Sequence, residues 1–322
     1  MTNPGWGGAA SEGTPPPQPR CVRHPARPTA LSCTRCGRPA CPDCLRSASV
    51  GHQCVDCVAA GQRDVPQART VAGAPIRSQL PTPIVTYVLI ALNVVIFAVT
   101  ALQAGSLMDN GAGRINLRTG AAVFDSPVFG WLVLDPNAVA QGDWFRILGS
   151  GFLHFGLIHL AVNMFALWIL GRDTEIVLGR SRYLAVYLIA LLGGSASALT
   201  FESLNSFTAG ASGAIFGIMG AQAVLLLRMR RSPGPILAVI GLNVVISVTV
   251  PGISLWGHIG GLVAGAAATA VLVYAPVGDR TPASVARARQ LGWAGLGAVT
   301  VLVVGLIALR VVGLREQIPG LV

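Results

Sequence analysis

A chain of 322 residues has room for about two domains of ordinary size. Its 52% hydrophobic and 11% charged residues, with a mean hydropathy of +0.63, exclude an ordinary soluble protein. The net charge is +10 and every basic residue is Arg, but these arginines gather beside apolar segments, as at the cytoplasmic ends of membrane helices, so nucleic acid is not expected as a partner.

The amino-terminal residues 1–20 are rich in Gly and Pro and read as a disordered tail. No cleavable signal peptide is expected, because the first 80 residues lack an apolar core of the necessary length.

All seven cysteines follow within 21–58. Cys21 and His24 form C-x2-H; Cys33 with Cys36, Cys41 with Cys44, and Cys54 with Cys57 form C-x2-C pairs. Eight donors match two tetrahedral Zn2+ sites, since a two-residue spacer lets one turn present both side chains to one ion. Interleaved pairing puts Cys21, His24, Cys41 and Cys44 on one ion and Cys33, Cys36, Cys54 and Cys57 on the other; sequential pairing is the alternative. His52 reads as a surface residue. The spacing resembles a small B-box-type zinc finger. So few apolar side chains separate the ligands that metal binding must supply the folding energy, and the zinc is expected to be structural. Such a head suits recruitment of a cytoplasmic partner. Residues 59–82 read as a polar linker whose Arg63, Arg69 and Arg77 sit among lipid head groups.

Seven mostly apolar stretches free of charge follow, at 84–102, 147–170, 183–200, 211–227, 236–250, 253–274 and 291–309. Most reach the roughly 18 residues that cross a bilayer as helix, and none alternates at period two as a membrane barrel strand would. The expected class is therefore all-α: a polytopic membrane bundle with a six-helix core at 83–275, a seventh helix within 276–322 beyond a cytoplasmic loop, and a small zinc-binding domain in front. Arg172, Arg180, Arg182, Arg228, Arg230, Arg231, Arg280, Arg287 and Arg289 fall on the inner side if the amino terminus is cytoplasmic, against Arg114, Arg118, Arg146, Arg310 and Arg315 outside. This bias predicts that orientation. The Arg-only, Ala- and Gly-rich composition suits a bacterium with a GC-rich genome, hence the bacterial cytoplasmic membrane.

Polar side chains inside such segments are costly and become candidates for function. His159 and Asn163, four apart, share one helix face. Ser212 opens the fourth segment and His258 lies near the same end of the sixth. Gly213 and Gly217 on one, and Gly257, Gly261 and Gly265 on the other, form the small-xxx-small pattern that lets backbones approach. A serine can thus meet a histidine. For Asn163 to share their depth, the second helix must start near Gly156, which leaves a loop of about 103–155 with Trp144 and Arg146 at the membrane interface. Glu175, at the cytoplasmic end of that helix, is expected to pair with an arginine.

The ordered set Trp144-Phe145-Arg146, His154-x4-His159-x3-Asn163, Gly210-Ala211-Ser212-Gly213, and His258 followed by Gly260-Gly261 and Gly265 resembles the rhomboid intramembrane serine proteases over roughly 84–275. The resemblance implies a Ser212 and His258 dyad without a third carboxylate, and an oxyanion hole from Asn163, His159 and the Ser212 N–H. It also implies structural places near the site for His154 and Arg146, and for Phe216 a stacking position where many members carry Tyr. No cofactor is implied for catalysis. The partners would be transmembrane protein substrates and lipids, with the short fifth helix as entry gate. The alternative is a non-proteolytic relative that binds and escorts transmembrane helices, although such proteins lose the nucleophile or the base. A proton-relay transporter would need inverted repeats and membrane carboxylates, which the sequence lacks.

Overall fold

The computed structural model describes residues 17–64, 69–75, 82–111, 113–115, 122–275 and 281–317. The expectations for residues 1–16, Arg77, Arg118 and Arg280 lie outside them. The chain divides into two units, Met1–Gln67 and Ala68–Val322.

Sulfur makes up most of the first unit's interior: its buried apolar cluster is Ala40 and Leu45 with six of the seven cysteines. A single 3-10 turn at Pro42–Cys44 leads into a hairpin, β1 (Leu45–Ser47) against β2 (His52–Cys54), and then α1 (Val55–Asp64). The helix carries the fold six residues into the predicted linker. Ahead of Cys21, Arg20 pairs with Pro28, so order also begins earlier than expected. Asp56 lies 3.7 Å from both Arg23 and Arg38, exposed pairs that add little stability in water.

In the second unit, residues 69–75 form a turn rather than a free tether. The Thr70 hydroxyl donates to the Val177 carbonyl at 2.7 Å, and Arg182 donates to the Ala72 carbonyl. Both carbonyls need donors, Val177 because a helix end leaves its last carbonyls unpaired. The first membrane helix, α2 (Ile84–Ala104), stops at Gly105, whose φ of 65° forms the left-handed cap. The following loop folds: β3 (Gly113–Ile115) pairs with β4 (Ala122–Phe124), then come α3 (Pro127–Leu132), α4 (Pro136–Gln141) and α5 (Arg146–Gly149). Ser126 and Asp135 cap α3 and α4 by accepting backbone N–H groups, with Pro at the first turn of each.

After a bend of 91°, helix resumes as α6 (Leu157–Ala166), one residue from the predicted start. It passes through a π turn at Leu167–Gly171 into α7 (Arg172–Leu178). Then follow α8 (Arg180–Phe201), α9 (Ser212–Arg228), α10 (Gly234–Thr249), α11 (Leu255–Val273) and α12 (Pro282–Gln317). Each apolar stretch read from the sequence thus lies in a helix to within about two residues at its ends or, for the second, in the bent run ending at α7. Among the described residues α2, α8, α11 and α12 are long and apolar enough to cross a membrane, and Arg146–Phe152 with Leu157–Leu178 passes when taken as one span. α9 and α10, at 17 and 16 residues, are shorter. The protein is a multi-pass, mostly helical membrane protein.

Two further expectations change. The predicted cytoplasmic loop before the seventh helix is helical from Pro282, because Ala, Arg and Gln favour helix and Pro suits its first turn. Glu175 pairs with no arginine among the described residues. Buried at 3% exposure, it accepts the N–H groups of Val85 and Thr86 at 3.1 and 2.8 Å and the Thr86 hydroxyl at 2.8 Å. A carboxylate at a helix N-terminus satisfies unpaired donors and complements the helix dipole.

The centre is α8, α9 and α11, in backbone contact. A Cβ on Gly217 would lie 2.9 Å from the Gly261 carbonyl oxygen, and one on Gly194 would lie 2.8 Å from that of Gly257. Gly193 and Gly194 of α8 thereby join the glycine pattern read from the other two helices. Gly217→Val is expected to destabilise the fold by about 1–3 kcal/mol through overpacking, seen as a lowered thermal midpoint in detergent.

Candidate active site

Ser212 is the first residue of α9. Gly210, at φ 137°, turns the chain into it and is anchored by its N–H to the Ser150 carbonyl at 2.9 Å. The Ile215 N–H donates to the Ala211 carbonyl at 3.0 Å, and the helix start leaves the earlier N–H groups, including that of Ser212, without intrahelical acceptors. They form a ready site for negative charge.

His258 lies one turn into α11, whose cap is Ser254. The Ser254 hydroxyl accepts the Gly257 N–H at 2.9 Å and donates to the Glu202 carboxylate. Glu202 also accepts the Thr208 hydroxyl at 3.1 Å, which ties the end of α8 and the loop before Ser212 to the start of α11. With α9 and α11 so close, His258 Nε2 lies 2.8 Å from Ser212 Oγ. The other ring nitrogen, Nδ1, lies 2.7 Å from the Ser247 hydroxyl of α10. Phe216, one turn after Ser212, stacks on the imidazole with centroids 4.1 Å apart and planes at 11°. These groups face a cavity of about 1140 Å³ that Glu202, His159 and Asn163 also line.

A Cβ on Gly210 would lie 3.1 Å from His159 Nε2 and 3.5 Å from Ser212 Oγ, so both groups point at one spot. The Phe155 N–H donates to His159 Nδ1 at 3.3 Å. That nitrogen is then the acceptor, and in a neutral ring the proton sits on Nε2, facing the spot. Asn163 spends one amide N–H on the His159 carbonyl at 2.9 Å and keeps its second. His154 is fully buried, edge-on to His159 with centroids 5.0 Å apart, and neither of its nitrogens has a hydrogen-bond partner among the described residues. Arg146, buried at α5, donates to Asp143 at 3.0 Å and to the carbonyls of Gly130 and Val133 at 2.6 and 3.1 Å, fastening α3 beside the site.

In the first unit the eight metal-ligand candidates form two groups, Cys21, His24, Cys41 and Cys44, and Cys33, Cys36, Cys54 and Cys57. Within each, all donor atoms lie within 4.8 Å of one another. His24 Nδ1 lies 3.4 and 3.3 Å from the sulfurs of Cys41 and Cys44. This is the interleaved grouping; exposed His52 belongs to neither. The backbone N–H of Cys41 holds the Cys21 thiol down to about 6 against burial, and that of Cys54 does the same for Cys33. Burial and its sulfur neighbours push Cys44 up to about 11, while Cys36 and Cys54, with burial, push Cys57 to about 12. Thiolates crowded this closely repel one another, and a divalent cation is what lets all of them ionise together. Four soft donors per group suit such an ion.

Ser247 and Glu202 escaped the sequence reading. Ser247 carried a faint signal as the partner of Asn243 four residues earlier on α10; Glu202 carried none, because Ser254, its partner at the site, comes from a distant segment.

The Rhomboid domain family model matches residues 141–275. Over 198 residues, 59% of this chain, the sequence is 36% identical to Rhomboid protease GluP of Bacillus subtilis, covering 35% of that protein. It is 32% identical to RHOMBOID-like protein 4 of Arabidopsis thaliana over 44% of this chain and 38% of that one. The match to Rhomboid-type serine protease 2 of Emericella nidulans is 28% identical over 48% of this chain and 32% of that one. The chain thus spans about a third of the length of these relatives.

A side chain at Gly210 would sit between His159 and Ser212. Gly210→Ala is expected to slow labelling of Ser212 by a fluorophosphonate, by up to about a hundredfold if the groups shift by about an ångström, with helix content unchanged by circular dichroism.

Proposed function

We propose, from a chain that carries a Rhomboid domain at residues 141–275, that it is an intramembrane serine endopeptidase cutting the transmembrane segments of membrane proteins. The observation that carries this reading is the 2.8 Å contact between Ser212 Oγ and His258 Nε2, made in an apolar bundle where such groups are costly. Ser212 attacks the scissile carbonyl carbon as His258 Nε2 takes its proton. The tetrahedral intermediate collapses, the proton passes to the leaving amine, and an acyl-enzyme remains. Water, deprotonated by the same nitrogen, then releases it. The developing oxyanion faces the Ser212 N–H, the His159 Nε2–H and the free N–H of Asn163, donors worth about 3 kcal/mol each in soluble proteases. Phe216 holds the imidazole plane, and His154 and Arg146 support the surrounding loop.

Depth supports the reading. Seventeen residues of α9 span about 25 Å, short of the roughly 30 Å hydrocarbon. Arg228, Arg230 and Arg231 belong at the interface by the other end, so Ser212 is the submerged end. A transmembrane helix hides its peptide bonds, so the substrate segment must unwind to be cut; Gly, Pro or polar residues near the outer face would favour this. By family resemblance, a small residue precedes the cut and α10 is the entry gate.

The protein then lies in the bacterial cytoplasmic membrane with its amino terminus inside. Each cysteine group of the head holds one structural Zn2+, and the head recruits a cytoplasmic partner while the membrane body works as the protease. The non-proteolytic alternative is disfavoured by Ser212 and His258 lying in hydrogen-bond contact.

Ser212→Ala and His258→Ala are each expected to lower cleavage of a reporter membrane segment by about 10³-fold or more with expression intact; cleavage at the wild-type rate by either removes the assignment. Cys41→Ser with Cys44→Ser in the full chain is expected to release zinc, measured by a chromogenic chelator, and unfold the head. Full fluorophosphonate labelling of Ser212 in that variant would place the head outside the catalytic machinery.

A further inference from the structure

A serine and histidine pair works only if the imidazole presents a bare nitrogen to the hydroxyl, and in soluble triads a carboxylate enforces that tautomer. Among the described residues no carboxylate bonds to His258. Ser247 occupies that place. It is buried on α10, and its Oγ lies 2.7 Å from His258 Nδ1 and 2.7 Å from the backbone carbonyl oxygen of Asn243, one turn back.

The protons can be counted. A hydroxyl has one hydrogen, and a carbonyl oxygen only accepts. The Ser247 hydrogen therefore goes to Asn243, leaving its oxygen able only to accept from His258. That requires the ring hydrogen on Nδ1, and a neutral ring then carries a bare lone pair on Nε2, the nitrogen that Ser212 approaches. His159, fixed by the Phe155 N–H at Nδ1, has the opposite tautomer, so the two histidines of the site are set for opposite tasks.

We propose that Ser247 is a positioning residue for His258, standing where other serine proteases place a carboxylate and relaying the ring's orientation to a backbone carbonyl of α10. The inference rests on the reading of Ser212 and His258 as a dyad. When Nε2 takes the Ser212 proton the ring becomes a cation, and Nδ1–H keeps its hydrogen and points it at the Ser247 oxygen. No proton travels further. The oxygen's negative end, polarised by donation to Asn243, faces the new charge.

The test uses the full chain in liposomes with a fluorogenic transmembrane substrate. Ser247→Ala should lower kcat about 10- to 100-fold, less than the roughly 10⁴-fold of an enforced wrong tautomer in a soluble triad, with KM within about twofold. Fluorophosphonate labelling of Ser212 should slow by a similar factor. Ser247→Thr, which keeps the hydroxyl, should recover most of the loss. Nitrogen-15 spectra of the unmutated chain, with the His258 signals identified from His258→Gln, should show the proton on Nδ1; in Ser247→Ala the tautomers should mix. A wild-type kcat in Ser247→Ala, or a proton on Nε2 in the unmutated chain, overturns the proposal, and the latter decides even if the alanine variant fails to fold. Absent labelling of the wild-type Ser212 would take down the dyad itself; normal wild-type labelling with no effect of Ser247→Ala would remove only the role of Ser247.

Discussion

Everything at the site depends on three helix backbones approaching with only glycines and a few small side chains between them. A hydrogen bond of 2.8 Å between residues on separate helices needs axes closer than leucine or valine would permit, and α8, α9 and α11 achieve this because glycine occupies both sides of each crossing. In lipid there is little hydrophobic gain from bringing helices together, so contact must come from close packing and from polar groups bonding across the seam. The same glycines that make Ser212 and His258 neighbours also hold them still. A site preorganised in this way does not have to rearrange at the moment of reaction.

Around that seam, buried polar groups tie the loops to the helices. Glu202 joins α8, the loop before α9 and the cap of α11; Arg146 collects the carbonyls that end α3; Ser195 of α8 donates to the Ile147 carbonyl of α5 at 2.8 Å; Glu175 closes the start of α2. In a medium without water an unpaired group of this kind costs several kcal/mol, so each bond strongly specifies one arrangement. The chain has few charged residues, and those inside the bundle serve as fasteners.

The cysteine-rich unit uses the opposite strategy. It has almost no aliphatic interior, and its eight donors gather into two groups, each able to hold a metal ion. One part of the chain is organised by close packing, the other around clustered donor atoms.

The class of the protein and the identity of its candidate residues were legible without coordinates, because an apolar run has one viable form in a bilayer and a serine, a histidine or a paired cysteine stands out against it. The start of α6 near Gly156 followed from requiring Asn163 to share the depth of Ser212, and ligand count and spacing gave two four-donor groups, while the choice between interleaved and sequential pairing was settled by the folded structure. Helix lengths were less legible: α12 runs on through arginines that read as a loop, since good helix formers do not stop at a charge. The donors to Glu175, the tie through Glu202 and the bond between His258 and Ser247 were decided only by tertiary structure. Hydrogen bonding is short in range and directional, and whether two groups many residues apart meet depends on helix rotation and axial shift, which hydropathy and spacing do not encode. The sequence therefore determined which chemistry is present, and the packing of helix against helix determined which atoms share a proton.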